Sequence, residues 1–525
     1  MTRRLATTWP RLLAALLFGA AAALAQAPWY LWPLMMFGYS GLLWLLQGAT
    51  GSARAFVYGW VFGVGYFLVG LHWVGHAFLV DAARFAWMMP FAMLALAAGL
   101  GLFPALAAVL TWRFSHPGLG RLLALTLFWG LTEWLRGSLL TGLPWLLSGH
   151  VWAGSDIGFQ AAAYLGASGL GLLAVLAAAA PALVLIRNHG ARKRGLVVNA
   201  VALALVGLTI VLSVLRLQNA EINHHPGVRL RLVQAGISQA DKWRPELRDQ
   251  HLAHYLRLSM APDETGQPPE FSHLIWPETA TPFFLDQDTG RRRTIAQALP
   301  RRSLLITGSP RMPHQQPGHR ILHNSILKLD PDGAVKAIYD KYHLVPFGEY
   351  LPLRKVLARL GLDKLAHGAV DFSPGAGPRV VKVPNLPPFR PLICYEIIFP
   401  REISVTTGDA NAEWLLNLTN DAWFGEDFGP QQHLAIARLR AVEFGLPVVR
   451  VANTGISAVI DPFGRIVSQL PMATAGIIDS QLPIALPKTP YRRFGEGIFA
   501  VFCLLLMGLL IQTLRRRSDP AHDAS

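Results

Sequence analysis

Stretches of the roughly 20 apolar residues needed to cross a bilayer as a helix recur from the N-terminus of this 525-residue chain onward. They run over residues 10–25, 29–46, 55–75, 85–112, 122–135, 159–186, 196–215 and 498–514, which predicts eight transmembrane helices. Basic residues follow every second one: Arg3 and Arg4, Arg54, Arg113 and Arg121, then Arg187, Arg192, Lys193 and Arg194, and last Arg515, Arg516 and Arg517. An excess of Lys and Arg marks cytoplasmic loops. Both termini are therefore expected inside and the long segment 219–493 outside. A cleaved signal peptide is the alternative for the first stretch, because ALAQA after a basic start resembles a small-residue cleavage site. The span count works only if that stretch is kept.

Composition agrees with a membrane protein: 52% of the residues are hydrophobic and only 15% charged. A formal charge of +15 raises the question of nucleic acid. The basic residues of the first half sit between apolar segments, however, and read as topology signals. No zinc pattern, Walker loop or RNA-binding signature accompanies them, so neither a metal nor a nucleic-acid partner is expected. Between the fifth and sixth spans, EWLRGSLLTGLPWLLSGH places Glu133, Arg136, Pro144, Trp145 and His150 at a membrane boundary. Two readings stand for it: interface anchoring by Trp and a snorkelling Arg, or a loop that helps a lipid reach a site on the outer face.

After residue 215 the texture changes to short β-type runs broken by charged helical stretches, among them VRLRLVQA, HLIWPE, SLLITGSP, HNSILKLD, AVKAIYDK, PLICYE, EWLLNLTND and VVRVAN. This predicts an α/β domain. In ILKLDPDGAVKAIYDK and SAVIDPFGRIVSQL, Asp-Pro-x-Gly separates two alternating runs, a hairpin signature. Hairpins argue against an all-parallel sheet and point to a mixed sheet flanked by helices. The expected organisation is a bundle of seven helices over 1–218, one folded domain over 219–493, and a last helix with a polar tail over 494–525.

Three of the β-type runs end in chemistry-bearing residues: Glu278 after HLIWP, Lys341 after AVKAIYD and Cys394 after PLI. Ligands of open α/β sheets gather outside the carboxyl ends of strands, so the three can converge. A thiol needs a base to become a thiolate, a carboxylate in an apolar pocket can serve as one, and an ammonium stabilises both thiolate and oxyanion. Each also has a plain alternative: a buried small hydrophobe for Cys394, a helix cap for Glu278, a solvated strand end for Lys341. The chain holds one other cysteine, Cys503, inside an apolar run, so a disulfide between the two is not expected.

WPE at 276–278, YDKYHLVPFGEYLP at 339–352 and CYE at 394–396, in that order, resemble the Glu–Lys–Cys signature of the nitrilase (carbon–nitrogen hydrolase) superfamily. With the membrane bundle, the pattern is similar to the apolipoprotein N-acyltransferase family of bacterial envelopes. The resemblance implies an αββα sandwich on the periplasmic face of the inner membrane. In it Cys394 is the nucleophile, Glu278 the general base and Lys341 the stabiliser of the tetrahedral intermediate, with no cofactor. It further implies a phospholipid acyl donor, typically phosphatidylethanolamine, a diacylated apolipoprotein acceptor, and supporting roles for Glu349, Tyr395 and Glu396. Trp243 becomes a candidate for substrate contact, and Asn417, Asn420, Asp421 and Trp423 candidates to line the site. Two rivals stand beside this reading: a membrane-tethered amidohydrolase that gives the thioester to water, and a transporter or flippase whose outer domain only binds.

Overall fold

Every segment expected to span is helical in the computed structural model, which describes residues 8–185, 189–218, 220–263, 265–313, 321–352, 354, 371–404 and 411–518. Five of the described helices are long and apolar enough to cross a membrane: Ser52–Gly70, Ala82–Arg113, Ala162–Leu183, Arg192–Gln218 and Gly497–Arg515. The other three fall short for physical reasons. Thr8–Ala23 and Trp32–Gln47 have 16 residues each, about 24 Å of helix at ~1.5 Å per residue, against a hydrocarbon core of about 30 Å. Leu119–Arg136 has 18 residues but carries Arg121, Glu133 and Arg136. Arg3, Arg4, Arg187 and position 186 of the expected pattern lie outside the described residues, as do the side chains of Arg516 and Arg517.

The chain divides into two compact units. The first runs to Gly75 and resumes over Trp87–Ala220 and from Lys488; the second comprises His76–Ala86 and Glu221–Pro487. Within the first unit, Arg136 does not snorkel. It is 3% exposed, and its guanidinium donates to the carbonyls of Leu143 and Trp145, both at 2.7 Å. Glu133 accepts from the Ser148 amide and hydroxyl, each at 2.9 Å. That hydroxyl also receives the indole N–H of Trp129 and meets the hydroxyl of Tyr39. The ionisable residues at the end of this helix thus fold the next loop back onto the bundle, because an unpaired charge there would be costly.

Alternation with a period of two builds the second unit. Its strands are β1 (His224–Gln234), β2 (His273–Ile275), β3 (Leu304–Arg311), β4 (His323–Leu329), β5 (Val335–Asp340), β6 (Val381–Val383), β7 (Leu386–Ile393), β8 (Trp414–Thr419), β9 (Val448–Ala452), β10 (Ser457–Ile460), β11 (Ile466–Leu470) and β12 (Gly476–Pro483). They form two six-stranded sheets, ordered β12-β1-β2-β3-β4-β5 and β11-β10-β9-β8-β7-β6. Both are mixed: β1, β2 and β3 run parallel, as do β7, β8 and β9, and the outer strands pair antiparallel. The two Asp-Pro-x-Gly segments close the β4–β5 and β10–β11 hairpins. Each Asp carboxylate accepts two backbone amides of its turn, and Gly333 and Gly464 take φ of +78° and +77°.

Leu230, Leu232, Ile275 and Ile306 from one sheet pack against Trp414, Leu416, Leu418, Val449 and Val451 from the other. The opposite face of the first sheet, with Val233, Leu274, Trp276, Leu305 and Leu327, packs on the helices Arg248–Ser259 and Thr289–Ala298 through Leu252, Tyr255 and Ile295. The helix Phe428–Phe444 covers the outer face of the second sheet. These are the helix–sheet–sheet–helix layers that the resemblance implies. Leu416→Ala, at the centre of the inter-sheet core, is expected to destabilise the domain by about 2–5 kcal/mol, read as a lower thermal midpoint of the detergent-solubilised protein by intrinsic fluorescence.

Candidate active site

Strand direction brings the three expected residues to one end of the sandwich. β2 and β3 are parallel, and β4 and β5 reverse direction twice, so β5 points the same way as β2. Glu278 therefore follows β2 and Lys341 follows β5 at the same edge, while Cys394 follows β7 in the facing sheet. All three are at least nine-tenths buried, at 7%, 1% and 7% exposed.

Lys341 Nζ lies 2.8 Å from Glu349 Oε2 and 3.9 Å from Glu278 Oε1. Asn324, near the start of β4, donates its amide to both carboxylates, at 2.7 Å to Glu278 and 3.0 Å to Glu349. Glu349 also accepts the Val345 amide at 2.8 Å. It is thus the turn carboxylate of its own loop and the nearest partner of the lysine. Burial alone would lower the pKa of Lys341, but Glu349, Glu278 and Cys394 outweigh it and hold the ammonium charged. Burial raises the pKa of Glu278, and Glu349 adds to the rise, against the opposing pull of Lys341. Both directions follow from one cation shared by two carboxylates in a dry site, with Glu349 the closer.

Cys394 leaves β7 with φ +51°, a left-handed conformation that an ordinary residue adopts only where its surroundings enforce it. Its carbonyl oxygen is held by Asn417 Nδ2 at 3.3 Å, and His433 Nε2 lies 3.2 Å from it. Thr279, next to Glu278, and Phe347, two residues before Glu349, share the strain, at φ +45° and +64°. Burial, then the Glu278 charge, push the Cys394 thiol up to about 12, while Lys341 pulls it down. The resting group is a thiol with a carboxylate beside it that can take its proton and an ammonium that can stabilise the resulting charge.

Glu396 joins the two sheets at this edge. One oxygen accepts from the Tyr339 hydroxyl at 2.9 Å and the amides of Tyr342 and His343 at 2.8 and 3.2 Å; the other accepts the Ile393 amide at 2.7 Å. Burial raises its pKa to about 7, against these hydrogen bonds and Lys341. Tyr395 is buried with its ring 5.6 Å from His343 and 5.0 Å from Phe399.

Of the loop NLTNDAWFGEDFGP, Asn417 bears on the Cys394 carbonyl, and Asn420 bridges to Gln239 at 2.8 Å and Asn453 at 3.1 Å. Asp421 is buried against Arg450 and His433. Burial would raise its pKa, but those two neighbours carry it well below the usual carboxylate range. Trp423 is half-buried in the turn that follows, where the Phe424 oxygen lies 3.0 Å from His76 Nδ1. Trp243 is half-buried at the end of the helix Gln239–Lys242. Its neighbour Lys242 is the residue that turns inward, donating to the Glu278 carbonyl at 2.9 Å.

Sequence reasoning passed over Lys242, Asn324, Gly308 and the pair His433–Arg450. A lysine just after the first strand and an asparagine opening a strand were visible signals for the first two. Gly308 had none, since its reason is a close approach. A Cβ there would lie 2.4 Å from the Thr279 nitrogen and 2.6 Å from the Glu278 Cα, and its amide donates to the Pro277 carbonyl at 3.1 Å.

The carbon–nitrogen hydrolase family matches residues 229–487, and the apolipoprotein N-acyltransferase N-terminal domain matches residues 18–180. An apolipoprotein N-acyltransferase of Rhodopseudomonas palustris is 42% identical over 98% of this chain and 96% of its own length. That of Bradyrhizobium diazoefficiens is 40% identical over the same shares. The chain belongs to the apolipoprotein N-acyltransferase family. As a member of it, with five membrane-length helices, it is a membrane protein with a nitrilase-like α/β domain. A solved nitrilase-superfamily amidase from Nesterenkonia is similar at 19% identity over 54% of this chain and 98% of that one, with a TM-score of 0.35, and adds nothing to the assignment.

The electrostatics predict opposite shifts for two variants, read by iodoacetamide alkylation against pH in a Cys503→Ser background so that Cys394 is the one thiol. Glu278→Gln removes the charge that raises the thiol, so its alkylation profile moves to lower pH. Lys341→Met removes the charge that lowers it, so the profile moves to higher pH. Gly308→Ala is expected to displace the Glu278 turn and abolish labelling by an acyl donor in protein whose thermal midpoint shows that it still folds.

Proposed function

We propose that this acyltransferase moves a fatty acyl chain from a membrane phospholipid, through a thioester on Cys394, to the α-amino group of the N-terminal S-diacylglyceryl-cysteine of apolipoproteins, the last step of lipoprotein maturation. The observation that carries this reading is the buried meeting of one thiol, one raised carboxylate and one fixed ammonium at a shared sheet edge. In the first half-reaction Glu278 takes the thiol proton and the thiolate attacks the ester carbonyl. Lys341 stabilises the tetrahedral oxyanion, and the C–O bond breaks as Glu278 returns the proton to the leaving alkoxide. A lysophospholipid departs. In the second, the acceptor amine attacks the thioester and passes a proton to Glu278. The C–S bond then breaks and the thiol is restored.

Glu349 and Asn324 orient Lys341 and Glu278, Glu396 fixes the turn that carries the thiol, and Tyr395 and Trp243 are assigned to substrate contact. Phosphatidylethanolamine is the proposed donor. The placement that suits these substrates is a bacterial inner membrane crossed eight times, with both termini cytoplasmic and a catalytic domain over 219–493 in the periplasm between a 1–218 bundle and a 494–525 anchor. Donor and acceptor are both held in the bilayer, so a site at its surface searches two dimensions and draws no acyl chain into water.

Purified protein given acyl-labelled phosphatidylethanolamine is expected to retain label that hydroxylamine releases, and to pass it to a diacylated lipopeptide as an amide. Cys394→Ala abolishes the labelling, and Glu278→Ala slows it by ~10²–10⁴-fold, the range of a lost general base. Release of free fatty acid without an amide product would favour the amidohydrolase. Full lipoprotein maturation by Cys394→Ala would favour a protein that only binds or moves lipid. Faster labelling from phosphatidylglycerol would reassign the donor.

A further inference from the structure

Lys242 is a buried cation that the reaction as written does not use. It is 2% exposed, at the end of the short helix Gln239–Lys242 that follows β1. An ammonium has three protons to donate. Among the described residues, the Glu278 main-chain oxygen at 2.9 Å is the acceptor recorded for Lys242, whereas the carboxylates of Glu278 and Glu349 pair with Lys341. Removing an ammonium from water without a counter-ion is costly, and its charge acts here on the two reacting groups, the Glu278 carboxylate and the Cys394 thiol.

The surroundings of Lys242 make that action specific. The titratable groups bearing on it are Glu278, from the loop after β2, and Cys394, from the end of β7. Asp241, its chain neighbour, faces the other way, toward the Ser238 hydroxyl at 2.8 Å and Arg244 at 3.5 Å. From the helix Arg248–Ser259, His251 Nε2 lies 3.1 Å from the main-chain oxygen of Asp241. The carbonyl that Lys242 holds belongs to the residue before Thr279, whose φ is +45°. The ammonium therefore braces the strained turn that aims the base.

We propose that Lys242 is a positioning residue for the acyl transfer, pinning the main chain of Glu278 and, through its charge, favouring the ionised carboxylate and the thiolate. The inference rests on the reading that Cys394 and Glu278 are the reacting pair. It also divides the work between two lysines: Lys341 is paired with Glu349, and Lys242, which forms no ion pair among the described residues, supplies positive charge that bears on Glu278 and Cys394. Burial lowers its pKa to about 8, against Glu278 and Cys394, so this contribution is present below that pH and fades above it.

The test follows acyl-enzyme formation on the full-length protein from labelled phosphatidylethanolamine across pH, together with iodoacetamide alkylation in the Cys503→Ser background. Lys242→Met is expected to slow acyl-enzyme formation about 10- to 100-fold, the scale of a lost charge-assisted hydrogen bond. With the cation gone, both the acid limb of the rate, set by Glu278, and the alkylation profile of Cys394 move to higher pH. Lys242→Arg keeps a charge that does not titrate. It is expected to restore both profiles and to lack the fall in rate expected of the wild type above about pH 8.

Wild-type rates and profiles in Lys242→Met would overturn the proposal, as would equal losses in Lys242→Arg and Lys242→Met of wild-type thermal midpoint. If Lys242→Met does not fold, the comparison of wild type with Lys242→Arg decides: the same falling limb in both overturns it. Thioester labelling of Cys394→Ala would instead sink the underlying assignment of the nucleophile.

Discussion

The carboxylate of Glu396 ties the two sheets of the α/β sandwich together. Its oxygens receive four hydrogen bonds, three from residues at and after the end of β5 in one sheet and one from the last residue of β7 in the other. Sheets packed through apolar side chains have no strong preference for sliding, since dispersion and burial are not directional. A buried carboxylate with every donor in place does have one. It sets the ends of β5 and β7, and so Lys341 and Cys394, in register across the core. Burial raises its pKa to about 7, against the hydrogen bonds that hold it.

Around that anchor, one buried cation is divided among three acidic groups. Lys341 is shared by two carboxylates, Glu278 is left the less neutralised of them, and Cys394 is held as a thiol. Backbone strain at Thr279, Phe347 and Cys394 falls on the three loops that carry the site. Such strain persists only where the surroundings over-determine it. Here they do so through Gly308 beneath Glu278, Lys242 on its carbonyl, and Asn417 and His433 on the carbonyl of Cys394.

Much of this was legible in the chain itself. The eight β-type runs quoted from the sequence are all strands, and the two Asp-Pro-x-Gly turns are hairpins, because turn chemistry is local and is written in adjacent residues. Glu278, Lys341 and Cys394 were legible because each directly ends a recognisable run. Of the two readings open for the Arg136 segment, the snorkelling side chain does not hold: its acceptors are the carbonyls of Leu143 and Trp145, which only a folded loop brings to it. Trp243 became a candidate through the family resemblance, yet its neighbour Lys242 is the one whose side chain donates to the Glu278 carbonyl.

By itself the sequence determined the apolar helical segments, five of the expected eight being of membrane length, the α/β texture between them and the three residues whose chemistry is complementary, since period and turn residues are properties of neighbouring positions. Only the tertiary structure decided which charges meet: that Lys341 sits nearer Glu349 than Glu278, that Asn324 bridges both, and that a second lysine holds the Glu278 carbonyl. Those outcomes depend on strand order and on two sheets facing each other. Residues tens to hundreds of positions apart acquire a common environment, and with it shifted proton affinities, only once the core between them has closed.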